Sequence, residues 1–387
     1  MARLGIYLIG ARGNVATCTI AGLHALQHGL APATGLVTAT EMFTETELAN
    51  LDDIAIGGCD IVATPLEDKA RALAEDRGVL PPSLVEKLRD DLRATGAKID
   101  RAVPFDGNGA PPGGYARFAD TFGSTLAAFK ERSGAEHVVV INLASTEPSI
   151  PLSDVHKEDV SFAVALRANR TGIATQSMLY AWSAFSANAS FVNFTPSQAN
   201  DVSALAMFAA KQKLPHAGKD GKTGETLVKT TLAPMFRGRN LNVTSWLANN
   251  YLGNADGKTL SEPEARKTKL ASKDEALRSI LGTGTHLGTD IGYAPDMGDW
   301  KTAMDLIHFE GFLGVKMSMQ FVWQGCDSAL AAPLVLDLAR LVDRARRAGE
   351  SGMLDYLACF FKSPPGTKIH AFAEQLALLE SHAKLWR

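Results

Sequence analysis

The sequence has few of the features that mark secreted, membrane-spanning or metal-binding proteins. Its 387 residues include only four cysteines, which are widely spaced and form no C-x-x-C pair. That pattern excludes a zinc knuckle and a disulfide framework, and it is typical of a reducing compartment. No window approaches the roughly 18 consecutive apolar residues of a membrane span. No group of His, Asp and Glu has the spacing of metal ligands, so no metal is predicted.

An excess of charge of one sign is also absent. The chain carries 39 Lys and Arg against 42 Asp and Glu, a formal net charge of −3. Neither nucleic acid nor a membrane is therefore expected as a partner. The apolar run near the N-terminus is too short for a signal peptide, and we expect a cytoplasmic protein. A hydrophobic content of 46% suits a globular chain with two or three structural units.

The N-terminal segment has the pattern of a strand, a glycine turn and a helix. The apolar run 4–9 predicts a buried parallel strand, and G-x-x-G-x-x-A follows it at Gly10, Gly13 and Ala16. This is a variant of the dinucleotide-binding fingerprint. Gly10 would allow the tight turn, Gly13 the close approach of a pyrophosphate, and Ala16 close helix–strand packing. Backbone N–H groups at the helix start would face the phosphates.

Further elements are consistent with an α/β fold. The apolar run 137–142 predicts a second buried strand, and the small polar loop 143–148 follows it. In doubly wound sheets the carboxyl ends of the strands face the ligand. Segment 66–92 is rich in helix formers but is broken by glycine and proline, which predicts two helices. Alternation at 239–251 predicts a strand, and the apolar stretch 328–341 predicts a buried helix.

A glycine-bracketed loop at 253–258 precedes two lysines, Lys269 and Lys273, that are four residues apart. On a helix that spacing puts both ammonium groups on one face. Asn254 and Asp256 can bind hydroxyl groups, while lysine neutralises a phosphate or a developing oxyanion. The segment therefore suits an anionic, polyhydroxylated substrate.

A polar loop at 216–226, with three glycines and two lysines, is a second candidate phosphate site. It is not a Walker loop, because that motif requires glycine where this chain has His216. The polar segment 211–215 also predicts no hydrophobic strand just upstream.

Together these motifs resemble the myo-inositol-phosphate synthase family, collinearly from Gly10 to about His370. The family's motifs correspond to 10–17 (the glycine-rich NAD turn), 58–61 (G-x-D-I), 141–147 (L-W-T-A-N-T-E), 220–225 (D-x-x-S-G-Q), 253–257 (G-N-N-D-G), 298–301 (G-D-x-K), 326–333 (E-D-S-L-L-A-A-P) and 361–364 (L-K-x-P).

The resemblance assigns candidate residues to the cofactor and to the substrate. The residues implied for NAD are Gly10, Gly13, Asn14, Val15, Ala16, Asp60, Ala144, Ser145, Thr146 and Asp299. The residues implied for the active site are Lys269, Lys273, Lys301, Lys362, Asp220, Asn254, Asp256 and Asp327. The residues implied for the substrate phosphate are Thr223, Gly224 and Lys273, with Lys301 beside them.

Within this set the resemblance suggests roles. Lys269 and Lys362 are expected at the reacting carbons, and Asp60 at the adenosine ribose. Asn254 and Asp256 are expected at the hydroxyls or the nicotinamide. Because crowded ammonium groups lower one another's pKa, we expect a lysine here to act as acid or base near neutral pH.

Similar enzymes bind NAD and a hexose 6-phosphate, a sugar phosphate whose C5 hydroxyl they oxidise to a ketone. The ketone acidifies C6, whose enolate attacks the aldehyde carbon, and the ring ketone is then reduced again. NAD is thus a tightly held catalyst. The most direct expectation is conversion of glucose 6-phosphate to myo-inositol phosphate.

The resemblance also implies an architecture. A Rossmann-type NAD-binding domain, at 1–225 plus 331–387, would carry an inserted α+β catalytic and oligomerisation domain at 226–330. The expected assembly is a homotetramer, with a dimer as the alternative.

Several positions depart from the family pattern and leave the sugar open. Glu225 replaces the glutamine of the phosphate turn, where its carboxylate would repel a phosphate unless it points away or pairs with a lysine. Asn142 and Ser145 replace a tryptophan and an asparagine, and Ala199 lies in an altered S-P-Q-N-T loop.

Three alternative functions therefore remain. Fructose 6-phosphate could close between C2 and C6 to a five-membered carbocycle. A plain NAD-dependent polyol-phosphate dehydrogenase would release NADH. A catalytically silent NAD-binding protein would have no need of the lysines.

Overall fold

The computed structural model describes residues 3–75, 78–105, 110–253 and 276–387. Its strands are, in chain order, β1 (Leu4–Ile9), β2 (Ile54–Asp60), β3 (Asp100–Arg101), β4 (His137–Asn142), β5 (Ser190–Asn193), β6 (Pro215–Gly218), β7 (Asn242–Leu252), β8 (His286–Tyr293), β9 (Trp300–Glu310), β10 (Lys316–Cys326) and β11 (Gly352–Met353). Its α-helices are α1 (Asn14–Gln27), α2 (Leu66–Glu75), α3 (Pro82–Lys87), α4 (Arg89–Gly96), α5 (Tyr115–Ser133), α6 (Asp159–Arg167), α7 (Gln176–Ser186), α8 (Ser203–Lys211), α9 (Glu225–Gly238), α10 (Asp327–Arg347) and α11 (Phe372–Ala383).

The larger sheet is parallel and has the strand order β11-β6-β5-β4-β1-β2-β3. Every residue of β1 and β4 is buried, as continuous apolar strands covered on both faces should be. The strands predicted at 4–9 and 137–142 are confirmed to the residue, and the α/β fold class is confirmed with them.

Side chains of β1 alternate between two cores, one on each face of the sheet. Ile6 and Leu8 pack with residues of α1, α10 and α11, whereas Tyr7 and Ile9 pack with residues of α5, α7 and α8. This is the two-residue period of a strand that is buried on both sides. Because helices cover both faces of the sheet, we expect the site at the edge formed by the carboxyl ends of the strands.

The smaller sheet is mixed, with the order β10-β9-β7-β8. β9 is antiparallel to β7 and β10, and β8 is parallel to β7. Burial alternates along β7, the strand expected at 239–251. On the covered face, Trp246 and Ile307 pack against Phe236 of α9. The other face is exposed in the described residues, with Met304 at 48% and Val322 at 60%.

Two local predictions were wrong. Segment 66–92 falls in three helices, because Leu88 has a φ of −95° and a ψ of 5° and ends α3 before α4 begins. The polar loop predicted at 216–226 begins later than expected, because a strand, β6, occupies its first three residues, 216–218. The residues of β6 have no hydrophobic run, yet all four are buried. Burial lowers the pKa of His216 to about 4, so this strand carries a neutral imidazole.

The strands of the larger sheet lie within 1–225 and 331–387, and those of the smaller sheet within 226–330. α10 begins at Asp327 and runs across the expected boundary at 330. The domain limits themselves stay a prediction. Within the described ranges, no helix is long and apolar enough to cross a membrane.

Candidate active site

The loops that follow β1 and β4 meet at the carboxyl edge of the larger sheet. Gly10 has a φ of +79°, and a Cβ there would come within 3.1 Å of the Ala144 backbone. The N–H groups of Gly10 and Ala11 both donate to the Cys59 carbonyl. Only glycine combines this backbone conformation with this close approach, so the tight turn requires glycine at position 10.

The turn leads into the N-terminus of α1. Gly13 is the N-cap and donates its N–H to the Gly10 carbonyl. Ala16 is fully buried and Val15 is partly buried against the core, which fixes the first turn of the helix. Free amides at a helix start are suited to phosphate, so the residues predicted for the NAD pyrophosphate fit that group.

Asp60 ends β2 beside this turn and is 8% exposed. Its carboxylate accepts hydrogen bonds from the N–H groups of Arg12 at 2.7 Å and Val62 at 2.9 Å. In this geometry Asp60 fixes the glycine turn. Its predicted contact with the adenosine ribose stays a prediction.

The loop after β4 is anchored at its far end. Ser145 and Thr146 are exposed, while Glu147 is partly buried and accepts from the N–H and Oγ of Ser177 at the start of α7. Burial raises the pKa of Glu147, and these hydrogen bonds oppose the shift. Asn142, at the position of the family tryptophan, also donates to Ser177 Oγ, at 3.0 Å. These contacts anchor the loop to the start of α7.

Asp299 connects the glycine turn at 10–17, predicted to hold NAD and called the cofactor turn below, to the smaller sheet. Asn14 Nδ2 donates to Asp299 Oδ1 at 2.8 Å, and Cys326 Sγ donates to Asp299 Oδ2 at 3.4 Å. Asp299 is 2% exposed and precedes Lys301, which lies on β9, by two residues. The predicted NAD site and the predicted lysine site are therefore adjacent.

Lys362 and Asp220 form the first pair of the lysine site. Lys362 Nζ donates to Asp220 Oδ1 at 3.0 Å, and the Lys362 N–H donates to the Asp220 carbonyl at 2.7 Å. Burial lowers the pKa of Lys362, but the carboxylates of Asp220 and Asp327 outweigh it and hold that pKa above its ordinary value. The expected lowering by crowding is wrong for Lys362, because carboxylates surround its ammonium group.

Asp327 contacts two further predicted site residues, Thr223 and Lys301. Its Oδ1 accepts from Thr223 Oγ at 2.8 Å, and its Oδ2 lies 3.8 Å from Lys301 Nζ. Gly224 is the N-cap of α9, and a Cβ there would lie 2.5 Å from Trp323 Nε1. The Thr223–Gly224 turn thus combines a helix N-terminus with a nearby lysine, which is an arrangement suited to phosphate.

Of the predicted site residues, four lie outside the described residues: Asn254, Asp256, Lys269 and Lys273. The structure brings Lys301, Lys362, Asp220, Asp327 and the Thr223–Gly224 turn together. Among the residues that the structure describes, no cluster of His, Cys, Asp and Glu could hold a metal ion.

The sequence interpretation missed the partners of Glu225. Lys229 Nζ lies 2.6 Å from Glu225 Oε1 and 3.4 Å from Asp305 Oδ1. Asn250 Nδ2 donates to the same Glu225 oxygen at 3.1 Å. Lys301 Nζ is 3.8 Å from Glu225 Oε2. The i, i+4 spacing of Glu225 and Lys229 on a helix was the available signal.

Comparison with known proteins identifies relatives that are all described as inositol-phosphate synthases. A family model described as myo-inositol-1-phosphate synthase, an NAD-binding family, matches residues 4–384. Inositol-3-phosphate synthase 1 of Bacteroides thetaiotaomicron is 35% identical over 403 residues, covering 96% of this chain and 91% of the relative. Inositol-3-phosphate synthase of Spirodela polyrhiza is 28% identical, covering 98% of this chain and 84% of the relative.

Two solved structures share the fold. Inositol-3-phosphate synthase from Caenorhabditis elegans aligns with a TM-score of 0.86 and 24% identity, over 100% of this chain and 86% of its own. A myo-inositol-1-phosphate synthase-related protein from Thermotoga maritima aligns with a TM-score of 0.80 and 21% identity, over 99% and 98% of the two chains.

Proposed function

Since the chain belongs to the myo-inositol-1-phosphate synthase family, whose members use NAD, we propose that it cyclises glucose 6-phosphate to a myo-inositol phosphate. The observation that carries the proposal is the Asn14–Asp299 contact of 2.8 Å. It brings the cofactor turn next to the strand that bears Lys301. A redox step and a charge-stabilised ring closure can therefore take place in one cleft.

Each part of the site has a task in this reaction. The glycine turn at Gly10 and Gly13 and the N-terminus of α1 would hold NAD, which would supply reversible hydride chemistry for a transient oxidation at C5. Lys362, whose pKa is raised by Asp220 and Asp327, is protonated at neutral pH and donates to the oxyanion formed at the reacting carbons. Asp220, 3.0 Å from Lys362 Nζ, orients that ammonium group and keeps it in its charged form.

The phosphate is held at the start of α9. The Thr223–Gly224 turn offers backbone N–H groups, and Lys301 supplies a cation that is 11% exposed in its side chain. In this proposal Lys273 also binds the phosphate, and Lys269 acts with Lys362 at the reacting carbons. Binding the phosphate away from the reacting carbons orients the sugar for ring closure.

Product analysis tests this proposal. The purified protein would be incubated with NAD and, in separate reactions, glucose 6-phosphate or fructose 6-phosphate. The products would be dephosphorylated and examined by NMR and mass spectrometry. A six-membered cyclitol from the glucose ester is expected. A five-membered carbocycle from the fructose ester, or accumulation of NADH without cyclisation, would overturn it in favour of another reaction.

We also propose that the smaller sheet, within the catalytic and oligomerisation domain at 226–330, mediates a homotetramer. Its outer face exposes apolar side chains, including Trp300 at 44% and Val322 at 60%. At the β9–β10 turn, Phe312 is 87% and Leu313 is 85% exposed. Exposure of several large apolar side chains on one small sheet and its turn supports a protein interface. The oligomerisation role that the family resemblance implies for this domain supports a second copy as its occupant.

A further inference from the structure

Glu225 places a negative charge directly after the turn proposed to bind phosphate. Its side chain is 1% exposed, so water does not screen that charge. Its Oε2 also lies 3.8 Å from Lys301 Nζ, close enough to draw this cation away from a ligand. The family pattern has an uncharged glutamine at this position. The chain therefore needs another way to keep the charge of Glu225 off the phosphate.

Lys229 provides the opposite charge one helical turn further along α9. Its Nζ lies 2.6 Å from Glu225 Oε1, and its side chain is 2% exposed. Asp305, 3.4 Å from the same ammonium group, is its second anionic neighbour. Burial raises the pKa of Asp305, so Asp305 takes up a proton more readily than an ordinary aspartate.

We propose that Lys229 is a positioning residue that cancels the charge of Glu225 and so keeps Lys301 available to the substrate phosphate. Taken together, the buried Glu225 and Lys229 carry no net charge, like the glutamine that the family pattern has at position 225. This inference rests on the proposed function, because it takes Lys301 and the Thr223–Gly224 turn as the phosphate site.

Three variants separate charge from structure. Lys229→Met lowers the local charge by one, so the KM for glucose 6-phosphate rises by about tenfold or more. Glu225→Gln with Lys229→Met has the wild-type local charge, and its KM returns to within about twofold of wild type. Glu225→Gln alone raises the local charge by one, and its KM does not exceed that of wild type. Lys211→Met, which breaks the 2.6 Å ion pair with Asp159 elsewhere, is the matched control and leaves KM unchanged.

KM and kcat distinguish positioning from a purely structural role. Lys301 contacts the phosphate in both the ground state and the transition state, so losing that contact raises KM while kcat stays near wild type. If Lys229 only stabilised the fold, Lys229→Met would lower the melting temperature and the active fraction, leaving KM unchanged; that result overturns the proposal. A KM that stays high in the double variant also overturns it, because Lys229 would then bind the phosphate itself.

Affinity for inorganic phosphate, measured by calorimetry with NAD present, should follow the same order as KM. That readout is independent of the sugar turned over, so it tests Lys229 even if no cyclitol forms. If Lys229→Met does not fold, the comparison falls on the double variant and the wild type. Phosphate affinities within about twofold of each other support the proposal, and a tenfold weaker double variant overturns it.

Discussion

Two lysines near the site, the buried Lys222 and the partly buried Lys362, differ in the groups that face their ammonium nitrogens. Lys362 faces the carboxylates of Asp220 and Asp327, and its pKa is raised in spite of burial. Lys222 Nζ donates to the neutral Gln375 Oε1 of α11, and burial lowers its pKa to about 8. The difference follows from the partners, because a carboxylate stabilises the charged form more than an amide does.

Lys222→Met tests this difference through stability. The pKa of Lys222 is about 8 in the folded protein and about 10.4 in an unfolded chain, so the unfolded state binds more protons between those values. The ammonium group therefore destabilises the fold below pH 8, and the penalty disappears as the pH rises toward about 10.4. Lys222→Met should raise the free energy of unfolding at pH 7 by about 1–2 kcal/mol. In urea titrations that gain should vanish near pH 10; a gain that grows with pH would contradict the sign.

Lys362→Ala tests the assignment of Lys362 to the reaction. Removing an ammonium group that donates to the oxyanion should slow cyclisation by about 10³-fold. NAD affinity, measured by fluorescence titration, should stay near normal, since the cofactor turn lies at β1 and β4. Lys368→Ala, at an exposed lysine on the same segment, is the control. Retained turnover in Lys362→Ala would remove Lys362 from the catalytic set.

At the scale of elements, the start of α9 depends on a residue without a side chain at its N-cap. Gly224→Ala would put a Cβ 2.5 Å from Trp323 Nε1, so the indole or the helix must move. We expect a loss of about 1–3 kcal/mol in stability, together with a raised KM for the sugar phosphate. Gly238→Ala is the control in the same helix, because its Cβ would meet nothing within 4 Å. It should be neutral or stabilising by up to about 1 kcal/mol in thermal unfolding.

The elements found from the sequence were those with a strong local signal. β1 and β4 are continuous apolar runs and were predicted to the residue. β6 was missed because its residues, Pro-His-Ala-Gly, have no strand signal; the neighbouring strands β5 and β11 create it. Tertiary context here outweighs local propensity.

The candidate site was predictable in its parts and less so in its pairings. Each of the glycine and lysine motifs can be recognised within a single short segment of the sequence. The Asn14–Asp299 contact joins residues 285 positions apart, a separation that no local spacing reports. Glu225 was noticed as a carboxylate near phosphate, but burial decides which lysine pairs with it, and burial is a property of the folded chain.

At the scale of the whole molecule, α10 is a continuous helix that connects the smaller sheet to the core of the larger sheet. It begins directly after β10 of the smaller sheet, with Asp327 in its first turn. Its later residues Val335, Leu338 and Val342 are buried in the core of the larger sheet. A displacement of the smaller sheet would therefore move Asp327, a predicted active-site residue, relative to the glycine turn at Gly10 and Gly13.

The proposed assembly is the feature that would hold the smaller sheet in place, and it can be tested at its most exposed point. Replacing Phe312 and Leu313 by serine removes two apolar side chains that are 87% and 85% exposed. Because they contribute little to the fold of one chain, thermal stability at low concentration should change little. The mass measured by light scattering should fall from that of a tetramer to a smaller species. Val160→Ser, at an apolar position 62% exposed on α6, should leave the mass unchanged. A wild-type protein that is already monomeric, or a double variant that keeps the tetramer mass, would place the interface elsewhere or exclude it.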